Sequence, residues 1–136
     1  MAYEETLRSV SLDSDSSIAV YTGVPGLPGS ASPNSGKQFR FVKVTGAHKV
    51  GLATDPADAA VGVSQNKPQV LGEATTVATH GISMVQAGAA LAAGLPVTTD
   101  SDGRAVGLGT GDATYGITVG SSGAADELIP VLLRLN

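Results

Sequence analysis

Cysteine is absent from this 136-residue chain, which removes disulfide staples, thiolate nucleophiles and Cys-ligated metals from consideration. Tryptophan is absent too, and only Tyr3, Tyr21, Phe39, Phe41 and Tyr115 are aromatic. So few rings argue against platforms for sugars or for single-stranded nucleic acid, which rely on stacking. Charge is sparse, at 15% of residues and net −4. A phosphate backbone needs an excess of Lys and Arg, so no nucleic-acid partner is expected. No apolar run approaches the roughly 20 residues that span a bilayer, and Met1-Ala2-Tyr3-Glu4-Glu5 is acidic, unlike a signal peptide. The expectation is a protein made in the cytoplasm, with no membrane partner.

Familiar chemistry is equally thin. Asp100-Ser101-Asp102-Gly103 opens like a calcium loop, but Gly111 stands where the twelfth-position glutamate is needed. Gly107-Leu108-Gly109-Thr110-Gly111 lacks the Lys-Ser/Thr of a phosphate loop. His48 and His80 are 32 residues apart, with no metal-ligand spacing between them. No Gly-x-Ser-x-Gly elbow occurs. The sequence therefore predicts no enzyme, no metal and no cofactor.

What is present is repetition. Val50-Gly51-Leu52-Ala53-Thr54-Asp55 through Val61-Gly62-Val63 returns as Val106-Gly107-Leu108-Gly109-Thr110 through Tyr115-Gly116-Ile117. An echo at this spacing points to a doubled supersecondary unit, here about 37–80 and 95–134. β-formers dominate from Lys37 onward: Phe39–Val44 reads as a strand, Asp102-Gly103 as a hairpin turn, and Leu128–Leu133 as a strand apolar on both faces. A doubly apolar strand is covered on both sides, inside a barrel or against another subunit. Pro130 within it suggests an edge or a bulge. Only Gln86–Ala93 looks helical, limited to a turn or two by Gly88 and Gly94-Leu95-Pro96. The fold expected is mainly β: a small barrel or sandwich built from a duplicated unit, with at most one short helix.

Residues 1–36 read differently. Serines and aspartates precede Gly23-Val24-Pro25-Gly26-Leu27-Pro28-Gly29, so this part is expected to be an extended arm ahead of a β-rich domain at 37–136. Its apolar piece, Ile18-Ala19-Val20-Tyr21, offers a strand for a neighbour's sheet edge. Four of the eight basic residues crowd between Lys37 and Lys49. They read first as a solvated strand face and second as a surface for an acidic partner. The candidate partner or subunit contacts are accordingly Ile18, Val20 and Tyr21 in the arm, Arg40 and Lys43 in the basic cluster, and Leu128 and Val131 in the last strand. A core rich in Ala and Val buries little area per residue at about 25 cal/mol per Å², which also favours an oligomer.

Gly62-Val63-Ser64-Gln65-Asn66-Lys67-Pro68, then Gly72-Glu73, then Gly81-Ile82-Ser83-Met84-Val85-Gln86-Ala87-Gly88-Ala89 carry a resemblance. With Leu91 to Asp100, Asp102-Gly103-Arg104-Ala105 and Tyr115-Gly116-Ile117, they resemble a family of phage capsid decoration, or cement, proteins over roughly residues 36 to 134. The resemblance implies a structural virion protein on the outside of a phage head. It would bind the major capsid protein, form homotrimers and reinforce the lattice. The other reading is a β-barrel binding module, such as a tail-associated or surface adhesin domain.

Overall fold

The structure is a computed structural model and describes residues 7–19 and 37–135. Among them there are ten strands and no helix: β1 (Arg8–Ser14), β2 (Phe41–Gly46), β3 (Lys49–Leu52), β4 (Ala60–Ser64), β5 (Ala74–His80), β6 (Ile82–Gln86), β7 (Pro96–Thr99), β8 (Ala105–Gly107), β9 (Gly116–Thr118) and β10 (Leu128–Leu133). β1 to β5 close into a barrel in the order β1-β3-β2-β4-β5; β6 to β10 form a second sheet in the order β6-β10-β9-β7-β8. The fold is mainly β, as the sequence indicates.

The two units have one topology. In each, the first strand pairs antiparallel with the fifth, the fifth with the fourth, the fourth with the second and the second with the third. The first and third strands meet in parallel, through Ser14 and Val50 in one unit and through an Ala87–Ala105 bridge in the other. The ladders fix the correspondence residue by residue. Phe41, Val63, Ala78 and Ser9 form one cross-strand row, and Pro96, Ile117, Leu132 and Ile82 form its counterpart. Gly62 and Gly116 are equivalent, for a Cβ on either would strike the fifth strand at the same place: Val77 Cγ1 and the Ala78 carbonyl, or Val131 Cγ1 and the Leu132 carbonyl. The sequence echo is in register there and one residue out in the third strand, where Val50 corresponds to Ala105 rather than Val106.

Four expectations need correction. The units run from 8 to 80 and from 82 to 133, each starting a strand earlier than the echo suggests. Arg8–Ser14 is a wall of the first barrel rather than arm, because its backbone donors and acceptors pair with both β3 and β5. Val10 and Leu12 also alternate with Ser9, Ser11 and Asp13, the period of a half-buried strand. The short helix at Gln86–Ala93 does not form. Ala87 bridges to Ala105 and Leu91 to Ser122, and Gly88 lies so near β8 that a Cβ would be 2.8 Å from Val106 Cγ1. Tertiary pairing outweighs the modest helical preference of alanine.

Pro130 lies on a central strand, not an edge. Its carbonyl accepts from Val119 N–H at 2.8 Å, beyond the end of β9. Its ring fits because Gly120 leaves space against it, so no ladder partner loses a donor. Two cores result. Ile18, Val42, Val50, Leu52 and Val77 fill the first barrel. The second core joins the inside of the second unit to the first unit's outer row, Phe41, Val63 and Ala78.

Candidate functional site

The residues singled out from sequence are dispersed, and most are structural. Ile18 is fully buried in the first barrel, so it has no surface for a partner. Val131 is fully buried in the second core, on the inward side of β10. Arg40 is buried where the units meet: Nε donates to Gln86 Oε1 at 2.7 Å, and the guanidinium lies 2.9 Å from Asp102 Oδ2 and 2.7 Å from the Asp102 carbonyl. Lys43 is half-buried and paired with Asp58 at 2.8 Å. Val20 and Tyr21 lie outside the described residues. Among the described members of the set, Leu128 alone is exposed, by 47%.

Leu128 belongs to a larger surface. Along β10, Ile129, Val131 and Leu133 point into the core, leaving Leu128, Pro130 and Leu132 on the outside. Alternation puts Ile82 and Met84 of β6 and Ile117 of β9 on that same side. Cross-strand pairing then aligns them: Ile82–Leu132–Ile117–Pro96 in one row, Met84–Pro130 beside Val119 in the next. Neither row contains a charge. Half-exposed Val119 and exposed Leu95 extend it. A sheet apolar on both faces is unusual at a water boundary, and a contiguous patch of this kind marks an interaction surface.

Beside the patch lies an open cleft of about 250 Å³, lined by Gln38, Phe39, Lys67, Gln86, Asp126 and Leu128. Elsewhere, the acidic groups serve the loops. Burial opposes the charge on Asp58, but hydrogen bonds from Lys43 and from the Thr54 and Asp55 amides outweigh it and hold its pKa down. At Asp15 burial is likewise outweighed, by the Ser17 and Thr45 hydroxyls and the Ser17 and Ile18 amides. Glu73 is lowered by the Gln69 and Val70 amides. Arg104 is raised, first by its bond to Asp126 and also by Asp100, against a desolvation cost. Tyr115 is pushed up to about 12, mainly by burial and then by Asp58, Asp55 and Asp112. Its hydroxyl donates to the Asp58 carbonyl at 2.6 Å, and its ring meets Phe41 edge-on at 5.1 Å, tying the units together. Among the described residues, no three His, Asp or Glu side chains gather around one point that could hold a metal, and no helix is long and apolar enough to cross a membrane.

No protein-family model matches the chain, and no curated protein matches it. A solved structure does: the head fiber gp8.5 N base of bacteriophage phi29, with a TM-score of 0.60, 15% identity and 95% of each chain covered. The fold is shared with a phage head protein. Since nearly all of both chains aligns, the likeness takes in both five-strand units rather than one barrel. It agrees with the resemblance to phage capsid decoration proteins carried by residues 36 to 134.

The sequence pointed to β10 but missed the rest of the apolar face. Ile82 and Met84 lie in one stretch of the chain and Ile117 and Val119 in another, both apart from β10, and only the strand order brings them together. The signal available was β10 itself, whose outward residues needed apolar neighbours on adjoining strands.

Proposed function

We propose that this protein is a structural component of a phage head. It attaches to the outside of the shell through the major capsid protein, as a homotrimer, and reinforces the lattice. The observation that carries the reading is the shared fold, over 95% of both chains, with a head fiber base. The uncharged outer face of the second unit supports it, since an assembly protein needs surface that water does not favour. The role is mechanical rather than catalytic. In support, Asp15, Asp58 and Glu73 are engaged in holding loops.

Reinforcement follows from linkage. A protein that binds only the mature lattice stabilises it by about 2.7 kcal/mol per site at a hundredfold excess over Kd. Many weak contacts repeated over a shell then act together. The test is co-sedimentation of purified protein with mature heads, alongside the heat resistance of those heads with and without it. Saturable binding that raises the temperature of DNA release is expected. Protein left in the supernatant, or bound without protecting the shell, overturns the reading.

A further inference from the structure

The duplication leaves two surfaces without their counterparts. Within the chain, the first unit's outer row Phe41–Val63–Ala78 covers one side of the second unit and enters its core. The equivalent row of the second unit, Pro96–Ile117–Leu132, covers no core among the described residues: Pro96 is exposed and Ile117 and Leu132 are half-buried. The side of the second unit that is covered includes Ser83, Thr99 and Tyr115, all buried. Their equivalents in the first unit are Val10, Val44 and Val61 by ladder register. Val10 is 47% exposed, Val44 is 56% exposed and Val61 is half-buried. Among the described residues there is thus a free face at one end and a matching uncovered side at the other.

We propose that the free face of the second unit docks on the uncovered side of the first unit in a second copy of this chain. The contact made within one chain is thereby repeated between chains. The residue exchanges between the two units favour this partner. Within the chain Gln65 Nε2 donates to Ser83 Oγ at 2.8 Å; the equivalent pair between chains is Val119 with Val10. Arg40 with Asp102 becomes Leu95 with Ala47. Phe41 N–H donates to the Gly103 carbonyl at 2.8 Å. Pro96, at the place of Phe41, has no N–H to give, and the His48 carbonyl, at the place of Gly103, is already taken by Asp13 N–H at 2.8 Å. His48 and Gly103 both have positive φ, 57° and 75°, which confirms their equivalence in the hairpins. At these three contacts the polar pairing of the inner joint is absent from both sides at once, so docking orphans none of those donors. Asp13, at the place of Gln86, is exposed and lies at the rim.

Such a contact is heterologous, with different surfaces on the two partners, and repeats into a closed ring when its rotation allows. A three-copy ring would set six units in succession. This deepens the trimer part of the proposed function and takes from it only the number of copies.

Because the chain has no cysteine, the contact can be tested with single introduced thiols. A mixture of Val10→Cys and Val119→Cys proteins should form a 10–119 disulfide under mild oxidation, free in solution or bound to heads. A mixture of Val10→Cys with Val70→Cys, in the exposed β4–β5 loop, should not. Val10→Glu and Val119→Lys should each weaken self-association about a hundredfold, the usual scale for an unpaired charge in an apolar interface, while melting like wild type. The double variant, in which the charges meet across the contact, should recover at least part of it. No 10–119 link above the control in either setting overturns the inference, as do charged variants that assemble normally. Trimers without the link would leave the trimer reading standing and this interface refuted. Links with no binding to heads would do the reverse to the proposed function.

Discussion

Gly62 and Gly116 put the equivalence of the two units to a quantitative test. A methyl group on Gly62 would sit on the Ala78 carbonyl oxygen and 2.5 Å from Val77 Cγ1. On Gly116 it would lie 2.6 Å from the Leu132 carbonyl oxygen and 2.5 Å from Val131 Cγ1. In both cases one obstacle is backbone of a strand paired on both sides, which cannot step aside without breaking a ladder. Overpacking against a side chain costs about 1–3 kcal/mol, and a fixed carbonyl puts each Gly→Ala change at or above the top of that range. For a chain of this size about 3 kcal/mol lowers Tm by roughly 10 °C. Gly107→Ala is the control. No heavy atom lies within 4 Å of its would-be Cβ, so the change should be neutral or stabilising by up to about 1 kcal/mol through the unfolded chain. Calorimetry and urea titration of the three variants measure all of this. If Gly62→Ala and Gly116→Ala fall within about 1 kcal/mol of wild type, or only one of them is damaging, the two strand pairs are not equivalent and the correspondence drawn from them fails.

Other outcomes follow from single side chains. Arg40→Leu should cost about 1–3 kcal/mol, because it takes the donor from Gln86 Oε1 and from the Asp102 carbonyl at the joint; Lys43→Ala, which removes a half-exposed pair, should cost less than about 1 kcal/mol by denaturant titration. The lowered pKa of Asp58 contributes stability that is fully present above the unfolded carboxylate value and is lost as pH falls through the folded one. The stability gap between wild type and Asp58→Asn should therefore be widest near neutrality and close below about pH 4. Tyr115 has the opposite sign: the unfolded chain releases the phenol proton near pH 10 while the folded one holds it to about 12, so stability falls across that window. Melting curves of Tyr115→Phe should lack that part of the alkaline decline.

The strands that pack their own apolar residues were legible. Phe39–Val44, the Asp102-Gly103 hairpin and Leu128–Leu133 follow from β-formers and turn glycine alone, and the structure has strands or a turn at each, except that β2 begins at Phe41 and Phe39 has a positive φ of 58°. β1 was not read as a strand because its composition, Ser and Asp, matches that of a loop; its alternation of Val10 and Leu12 was the informative signal. The supposed helix at Gln86–Ala93 shows the reverse error, in which alanine content stood in for a contact with β8 that no local window contains. Pro130 misled for a related reason. Whether a missing N–H matters depends on where the neighbouring strand ends, and β9 ends at Thr118.

The repeat was visible over only a small stretch, and the structure explains which stretch. Gly62 and Gly116 face the same obstacle in both units, so the same residue answers it twice. Where the two units have different neighbours, the residues have parted. Gln65 and Ser83, hydrogen-bonded to each other, have Val119 and Val10 as equivalents; Arg40 and Asp102, an ion pair, have Leu95 and Ala47. Those positions carry no echo, yet they differ in pairs, and in each pair both members lose polarity together. Drift on an open surface has no reason to couple two distant sites in that way, since an exposed valine is tolerated singly and needs no partner. A contact between the two sites, made in a second copy, gives the coupling a physical cause.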